Sequence, residues 1–270
     1  MSDMTHAERR ARGLEVISSL TGSKDPEKVA QDIEDQNGAL GSLAIDFALG
    51  DVWTRPGISR RDRSLIVIAI VGALNQLEHL KVHVRGAINH GVTPEEVREV
   101  MTHMCGYAGF PRALDAMKAA NEVLAELGHA PKDGKLPPAE RLSLSDRRKR
   151  AAPGLAKVSG GKLFDNFDIT LNGLEKQMGP IGIFAADFIF GDIWERSQLS
   201  KRDRSLIVNS FLGALGRQDE LKIHIPGAFR HGLSKEEIQE LIVTLAAYAG
   251  FPFAVEATHV LHEHLKKEAS

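Results

Sequence analysis

Two stretches of this 270-residue chain decide how it folds, because one repeats the other. Asp46-Phe-Ala-Leu-Gly-Asp-Val-Trp53 recurs as Asp187-Phe-Ile-Phe-Gly-Asp-Ile-Trp194, 141 residues later and without a gap. The same register carries residues 107–111, Tyr-Ala-Gly-Phe-Pro, onto residues 248–252. Because a unit of this length is far longer than a solenoid repeat, the chain is a duplicated domain.

The duplication predicts two domains joined by an exposed connection. We expect the first domain over residues 9–129, a linker over residues 130–149 and the second domain over residues 150–270. The linker contains Pro131, Pro137-Pro138 and scattered charges, a composition that is typical of exposed connections.

Within each unit the sequence pattern predicts helices and leaves little room for a sheet. Ser59 with Asp62, and Thr93 with Glu96, have the spacing of helix N-terminal caps, and Gly91 stands where a helix ends. Long stretches rich in Ala and Leu lack the alternation of strands. We predict an all-α fold of two tandem homologous helical domains. The helices of the first unit are expected near residues 26–50, 60–74, 76–90, 94–107 and 110–127, with equivalents 141 residues on.

Composition excludes several classes of function. The 34 Lys and Arg residues nearly balance the 36 Asp and Glu residues, which argues against a nucleic-acid footprint or a polybasic membrane patch. The single cysteine, Cys105, allows no intrachain disulfide and favours a reducing compartment. No apolar targeting segment is visible, and the longest apolar run, residues 65–74, is too short to span a bilayer. We therefore expect a cytoplasmic protein that binds neither nucleic acid nor membrane.

Five motifs of the first unit, matched more loosely in the second, carry a family resemblance. They are residues 47–57, 61–65, 80–87, 91–99 and 107–111. In order and spacing they resemble the carboxymuconolactone decarboxylase family, which has the alkylhydroperoxidase D-like helical fold. The resemblance implies a cofactor-independent lyase of aromatic catabolism that decarboxylates a small anionic cyclic acid or lactone. It also implies a hexameric ring of single domains, so a chain with two domains is expected to form a homo-oligomer, with a trimer favoured.

The peroxidase branch of this family is excluded. That branch uses two cysteines in a CxxC pair, followed four residues later by a histidine on the same helix. Neither His83 nor His224 is preceded by such a pair. We expect Cys105, which lies elsewhere in an apolar stretch, to be an inert core or pocket-wall cysteine.

The decarboxylase branch has a glutamate and a histidine four residues apart on this helix, and Glu220 with His224 match that pattern. Such spacing places both side chains on one helix face. A carboxylate beside an imidazole raises the imidazole pKa, which suits a proton donor near neutral pH. We predict that His224 is the proton donor and that Glu220 orients it. The alternative is an ordinary surface pair on a helix.

In the first unit His79 replaces the glutamate, although His83 and Arg85 remain as the resemblance implies. We predict that His83 is the corresponding acid and that Arg85 binds a substrate carboxylate or lactone oxygen. The second unit has Pro226 in place of this arginine, so the two pockets are not equivalent. The alternative for Arg85 is a solvated helix arginine.

Three further residues, His79, Trp53 and Trp194, are predicted to contribute to substrate binding. His79 and His83 have the HxxxH spacing of zinc ligands, but a third ligand such as His90 would be needed, and we expect neither a metal nor another cofactor. Trp53 and Trp194 lie at core-like spacing, with the aromatic wall of a substrate pocket as the alternative.

The duplicated triplets Arg61-Asp-Arg63 and Arg202-Asp-Arg204 are predicted to form interdomain or subunit ion pairs rather than substrate contacts. Two other functions stay open at the level of sequence. One is a different lyase, isomerase or tailoring enzyme on a related small aromatic or lactone substrate. The other is a noncatalytic oligomer that binds a small molecule.

Overall fold

The structure, a computed structural model, describes residues 4–161 and 167–268, and within these ranges it contains helices and no strand. The first unit comprises α1 (His6–Thr21), α2 (Pro26–Asn37), α3 (Ala39–Leu43), a π-helical segment (Ala44–Val52), α4 (Arg60–Ala73), α5 (Leu77–Asn89), α6 (Pro94–Ala108) and α7 (Phe110–Glu126). The second unit repeats this order with α8 (Leu144–Ser159), α9 (Phe167–Met178), α10 (Pro180–Phe184), a π-helical segment (Ala185–Ile193), α11 (Lys201–Ala214), α12 (Gln218–Arg230), α13 (Lys235–Tyr248) and α14 (Phe251–Glu268). None of the described helices is long and apolar enough to cross a bilayer.

The all-α prediction is confirmed, but the helices differ from the expected ones in three places. The helix predicted over residues 26–50 is interrupted at Gly38, whose positive φ of 56° ends α2 before α3 begins. Helix α1 was not predicted; Thr5 and Glu8 start it with a reciprocal capping box. Helix α8 begins at Leu144, inside the stretch predicted as linker, because Ser143 caps its first turn.

A π-helical segment precedes each tryptophan of the duplicated motif. In the first unit the Trp53 amide donates to the Ala48 carbonyl, the i→i+5 bond of a π-helix. Gly50 in this segment lies directly against α1, since a Cβ atom placed on it would stand 2.5 Å from the Arg9 carbonyl oxygen. The close approach of α1 fixes the segment that delivers Trp53 to the core, where it is 1% exposed.

The two units share one hydrophobic core. Helices α4 and α11 pack against each other at its centre, and their residues from Asp62 and Asp203 onward are buried. Helix α13 of the second unit packs on α4, and α6 of the first unit packs on α11. Each unit's central helix is therefore packed against one helix of the other unit.

Crossed ion pairs join the first turns of the central helices. Arg61 reaches Asp203 at 3.0 Å, and Arg202 reaches Asp62 at 2.8 Å. The same two aspartates have their backbone amides capped by Ser59 and Ser200, the N-terminal caps expected from the sequence. The prediction that the duplicated triplets form interdomain ion pairs is confirmed.

The contact at Gly50 gives a test of the packing between α1 and the π segment. We expect Gly50→Ala to lower the free energy of unfolding by about 1–3 kcal/mol, because the added methyl group collides with backbone. Gly173→Ala is the matched control, since a Cβ atom placed there, in the interior of α9, would have no neighbour within 4 Å. It should be neutral or stabilise by about 0.5–1 kcal/mol. Urea unfolding of both variants measures the difference, and equal effects would contradict the close approach.

Candidate active site

A cluster of three aromatic rings, from Trp53 and Tyr248 together with the predicted His83, forms the first candidate site. The ring of His83 lies parallel to that of Trp53, with centroids 6.0 Å apart, and meets the edge of Tyr248 at 5.1 Å. Trp53 Nε1 donates a hydrogen bond of 2.6 Å to the Tyr248 hydroxyl. Because Tyr248 belongs to α13, the second unit completes this buried ring cluster, which is called the first pocket below.

The second pocket repeats this arrangement with the units exchanged. The ring of His224 lies 6.4 Å from that of Trp194 and meets Tyr107 edge-on at 5.6 Å. Trp194 Nε1 donates to the Tyr107 hydroxyl at 2.9 Å, and Tyr107 belongs to α6 of the first unit. Neither unit alone therefore contains a complete ring cluster.

An arginine–glutamate–arginine group lies beside each cluster. In the first, Arg55 and Arg63 donate to Glu240 of the other unit. Arg63 is fully buried, and Glu240 is 4% exposed. Although burial acts to raise the Glu240 pKa, the hydrogen bonds from both arginines hold it below its ordinary value. The carboxylate therefore stays charged and anchors α13 against α4.

The equivalent group in the second pocket joins Arg196 and Arg204 to Glu99, again across the units. Arg204 is fully buried, as Arg63 is, and Glu99 is 1% exposed. In each group two guanidinium charges share one carboxylate. Both pockets therefore carry a net positive charge beside their rings, which favours anionic ligands.

Burial sets the protonation state of the predicted acids, and this corrects the expected direction for His224. Its imidazole pKa is lowered to about 4, first by burial and then by His231, rather than raised by Glu220. Burial, with His79 and His90, lowers the His83 pKa to about 3. Both rings are neutral at pH 7 in the free protein.

The structure does not bring Glu220 against His224. Glu220 is exposed on α12, and no hydrogen bond in the described part of the chain joins the two side chains. Arg85 forms an ion pair of 2.7 Å with Glu126 near the protein surface. His79 is exposed, one turn from the buried His83. Residues at i and i+4 thus share a helix face here without sharing an environment.

The two tryptophans and His90 occupy well-defined surroundings. Trp53 and Trp194 are buried in the core and form one side of each ring cluster. Their role as the wall of a substrate pocket stays a prediction. His90 lies between two serine hydroxyls, 2.8 Å from Ser64 and 3.0 Å from Ser19. The described residues contain no group of three or more His, Cys, Asp or Glu side chains that could hold a metal ion.

A cavity of about 790 Å³ opens next to the second pocket, between the connection at residues 137–142 and the second unit. Cys105 and Arg196 are among its lining residues. Burial raises the pKa of the Cys105 thiol to about 11, so the thiol is protonated at neutral pH and a poor nucleophile. Through Arg196, the cavity wall touches the Glu99 group that stands beside the ring cluster.

Several residues of the site were missing from the sequence-based prediction. Tyr107 and Tyr248 complete the ring clusters, Glu99 and Glu240 bind the buried arginines, and His103 lies against Trp194. The tyrosines and glutamates occur in both copies at the same offset of 141 residues, which was an available signal. Their partners could not be found this way, because the pairing crosses between the units.

The depressed histidine pKa values predict how stability changes with pH. The unfolded chain binds these protons at its ordinary pKa near 6.5, whereas the folded His83, His90, His224 and His231 bind them only near pH 3–4. Proton uptake therefore favours the unfolded state as the pH falls below 6.5. We expect the free energy of unfolding to decrease from pH 7 to pH 5, above the range in which carboxylates titrate. Urea unfolding across that interval measures it, and a flat or rising profile would contradict it.

Comparisons with known proteins agree with the architecture described above. The chain is 38% identical over 128 residues to 4-carboxymuconolactone decarboxylase of Acinetobacter baylyi, which covers 47% of this chain and 96% of that protein. It is 32% identical over 130 residues to the nitrosuccinic acid decarboxylase NpaB of Metarhizium robertsii, covering 47% of this chain and 91% of that protein. Each relative is thus about the size of one unit.

A crystal structure described as a gamma-carboxymuconolactone decarboxylase subunit from Burkholderia xenovorans LB400 matches the fold with a TM-score of 0.53 and 20% identity. It covers 96% of this chain and 98% of that chain, so the likeness includes both units. The model of the carboxymuconolactone decarboxylase family matches twice, at residues 39–122 and 183–263. The chain therefore belongs to the carboxymuconolactone decarboxylase family, as a tandem of two such domains.

Proposed function

We propose that the protein is a cofactor-independent decarboxylase of a small anionic lactone or cyclic acid, and that it acts in the cytoplasm. The observation that carries the proposal is the pair of buried imidazole and aromatic clusters in a chain with two relatives, at 38% and 32% identity, that are named decarboxylases. The net positive charge beside each cluster suits a substrate that carries carboxylates. The proton chemistry below is what this chain's residues would supply.

Decarboxylation of such an acid breaks the bond between the carboxylate carbon and the ring. The bonding electrons pass into the conjugated carbonyl system as carbon dioxide leaves, and the resulting enolate carbon takes up one proton. That proton comes from solvent through a side chain positioned at the carbon. A neutral buried imidazole becomes a proton donor when an anionic substrate binds beside it, because a nearby negative charge raises its pKa.

We assign the reaction to the second pocket, with His224 as the proton donor. His224 is more exposed as a residue than His83, which is 7% exposed, and the cavity of about 790 Å³ lies on the side of the second cluster. Glu220 acts at most on the outer side of α12, where it can help guide the proton from solvent. Arg85 and His79, both on α5, stay candidates for substrate binding.

Replacement of His224 tests the assignment. With 4-carboxymuconolactone as substrate, His224→Asn should lower turnover by about 10²- to 10⁴-fold, because asparagine cannot deliver a proton. Glu220→Gln should change turnover far less, since its side chain is exposed and does not contact the imidazole. Loss of the lactone chromophore and release of carbon dioxide measure turnover, and product formed in D₂O should contain one deuterium.

His83→Asn is the matched control, because it makes the same change in the first pocket. A greater loss with His83→Asn than with His224→Asn, with both variants folded, would move the reaction to the first pocket. If the wild-type protein binds one of these lactones or cyclic acids but converts none of them, the decarboxylase proposal is wrong and the protein is a noncatalytic binding protein.

We also propose that three chains assemble into a ring of six units. Large apolar side chains are exposed at equivalent positions in both units, which is expected if each unit presents the same face to a neighbouring chain. The equivalent pairs are Leu40 and Ile181, Leu43 and Phe184, Val82 and Ile223, Phe110 and Phe251, and Leu114 and Val255. Leu43 and Phe184 are 62% and 65% exposed at the ends of α3 and α10.

The assembly can be measured by light scattering coupled to gel filtration. We expect a mass near three times the chain mass of 29.5 kDa. Leu43→Glu combined with Phe184→Glu should reduce it towards one chain, because charges would be buried in the interface. Ile169→Lys is the control: Ile169 is also exposed, but its equivalent in the first unit is Lys28, so it is not part of a duplicated face. A single-chain mass for the wild type would contradict the assembly.

A further inference from the structure

His103 in α6 is a fully buried histidine whose ring nitrogens have unequal partners. Its Nδ1 lies 2.8 Å from a terminal nitrogen of Arg204. A guanidinium group only donates hydrogen bonds, so Nδ1 must accept, and the proton of the neutral ring is on Nε2. Burial and then the charge of Arg204 keep the His103 pKa well below its ordinary value, so the ring is neutral. His103 thus holds one N–H group in a fixed direction.

That N–H group has no partner in the structure. The Nε2 atom of His103 is buried and forms no hydrogen bond. A buried donor without an acceptor costs about 1–3 kcal/mol, and such groups in folded proteins are normally paired with protein, water or a ligand. The position therefore calls for an acceptor.

The equivalent position in the first pocket is fully paired. Thr244 takes the place of His103 there, and its hydroxyl accepts from Arg63 at 2.9 Å and donates to the Glu240 carbonyl at 2.8 Å. Thr244 thus accepts the hydrogen bond of the buried Arg63, and its own hydroxyl hydrogen is also bonded. The unpaired Nε2–H of His103 is an additional property of the second pocket, beyond what holds the units together.

His103 belongs to the same ring cluster as His224. It stacks on Tyr107 with centroids 5.6 Å apart and meets Trp194 edge-on at 5.3 Å. Tyr107 and Trp194 are the two rings that contact His224. The cavity of about 790 Å³ reaches this cluster through Arg196 in its wall. Arg196 shares Glu99 with Arg204, the residue that donates to His103 Nδ1.

We propose that His103 is a ligand-binding residue of the second pocket, whose Nε2–H donates a hydrogen bond to a carboxylate or carbonyl oxygen of an anionic lactone or cyclic acid. The inference rests on the proposed function for its class of ligand. We expect the ligand to offer an oxygen acceptor because His103 offers an N–H donor. We expect the ligand to be an anion because two guanidinium groups share one carboxylate beside that donor. The first pocket, with Thr244, lacks this donor; its own unpaired buried ring nitrogen is Nδ1 of His83, whereas Arg63 donates to Thr244.

The test is binding of a lactone carboxylate that does not react. The probe is 5-oxotetrahydrofuran-3-carboxylate, which is saturated and has no conjugated system to accept the electrons of decarboxylation. Its Kd is measured by calorimetry on the assembled full-length protein. His103→Thr copies the arrangement of the first pocket, so Arg204 keeps an acceptor and the fold is expected to survive. We expect this variant to bind the probe about 10- to 100-fold more weakly, the size expected for a hydrogen bond to a charged group.

Thr244→Asn is the matched control, because it changes the equivalent residue of the first pocket while keeping a polar partner for Arg63; affinity should change by less than about threefold. A second measurement needs no variant. In protein labelled with ¹⁵N at histidine, the Nε2–H signal of His103 should shift when the probe is added. Equal Kd values for wild type and a folded His103→Thr, no binding to the wild type, or an unchanged His103 signal would each overturn the inference.

These outcomes are separable from those of the proposed function. A protein that binds the probe through His103 but does not decarboxylate any lactone would overturn the decarboxylase proposal alone. Suppose instead that the protein decarboxylates a lactone, that the probe does not shift the His103 signal, and that His103→Thr binds the probe as tightly as the wild type. That result would overturn the role of His103 alone.

Discussion

Two buried arginines, Arg63 and Arg204, set the main constraint on this molecule. Each is fully buried on a central helix and meets a carboxylate from the other unit, Glu240 or Glu99. Removing one partner of such a pair leaves a charge without compensation in the core, at a cost of about 3–5 kcal/mol. The charges therefore lock α6 and α13 in register over the central helices. That register is what places each tyrosine on the tryptophan of the opposite unit.

Because the pairing is reciprocal, one chain contains two composite pockets that can diverge separately. A symmetric dimer of single domains would place the same side chains in both pockets. Covalent duplication removes that restriction, and the chain shows the result at His103 against Thr244 and at Arg85 against Pro226. The residues that hold the units together and the three rings of each cluster are retained in both copies, whereas His103 beside the second cluster is replaced by Thr244 beside the first. The structural and the ligand-facing roles are thus carried by different positions on the same helices.

The repeat of residues 46–53 was enough to predict the duplicated all-α fold, because matching caps and apolar runs determine helices locally. The sequence analysis did not predict the break at Gly38 or helix α1, since neither feature disturbs the apolar pattern. The different environments of Glu220 and His224 were not predicted for another reason. Their spacing places both side chains on one helix face. Helix α6 of the other unit covers that face at His224 and leaves Glu220 exposed to solvent, and the spacing alone does not show this. For the same reason the sequence predicted the wrong direction for the His224 pKa.

The two histidines of the second pocket differ in what opposes their protonation. For His103 the charge of Arg204 adds to burial, and its Nδ1 is already used as an acceptor, so a proton there would meet a fixed cation. For His224 burial is the main cause, and His231 is the other. An anionic ligand compensates for lost hydration much more readily than it displaces a buried guanidinium. In the proposed reaction the ligand's own charge would therefore make His224 an acid, while His103 stays a neutral donor that holds an oxygen atom.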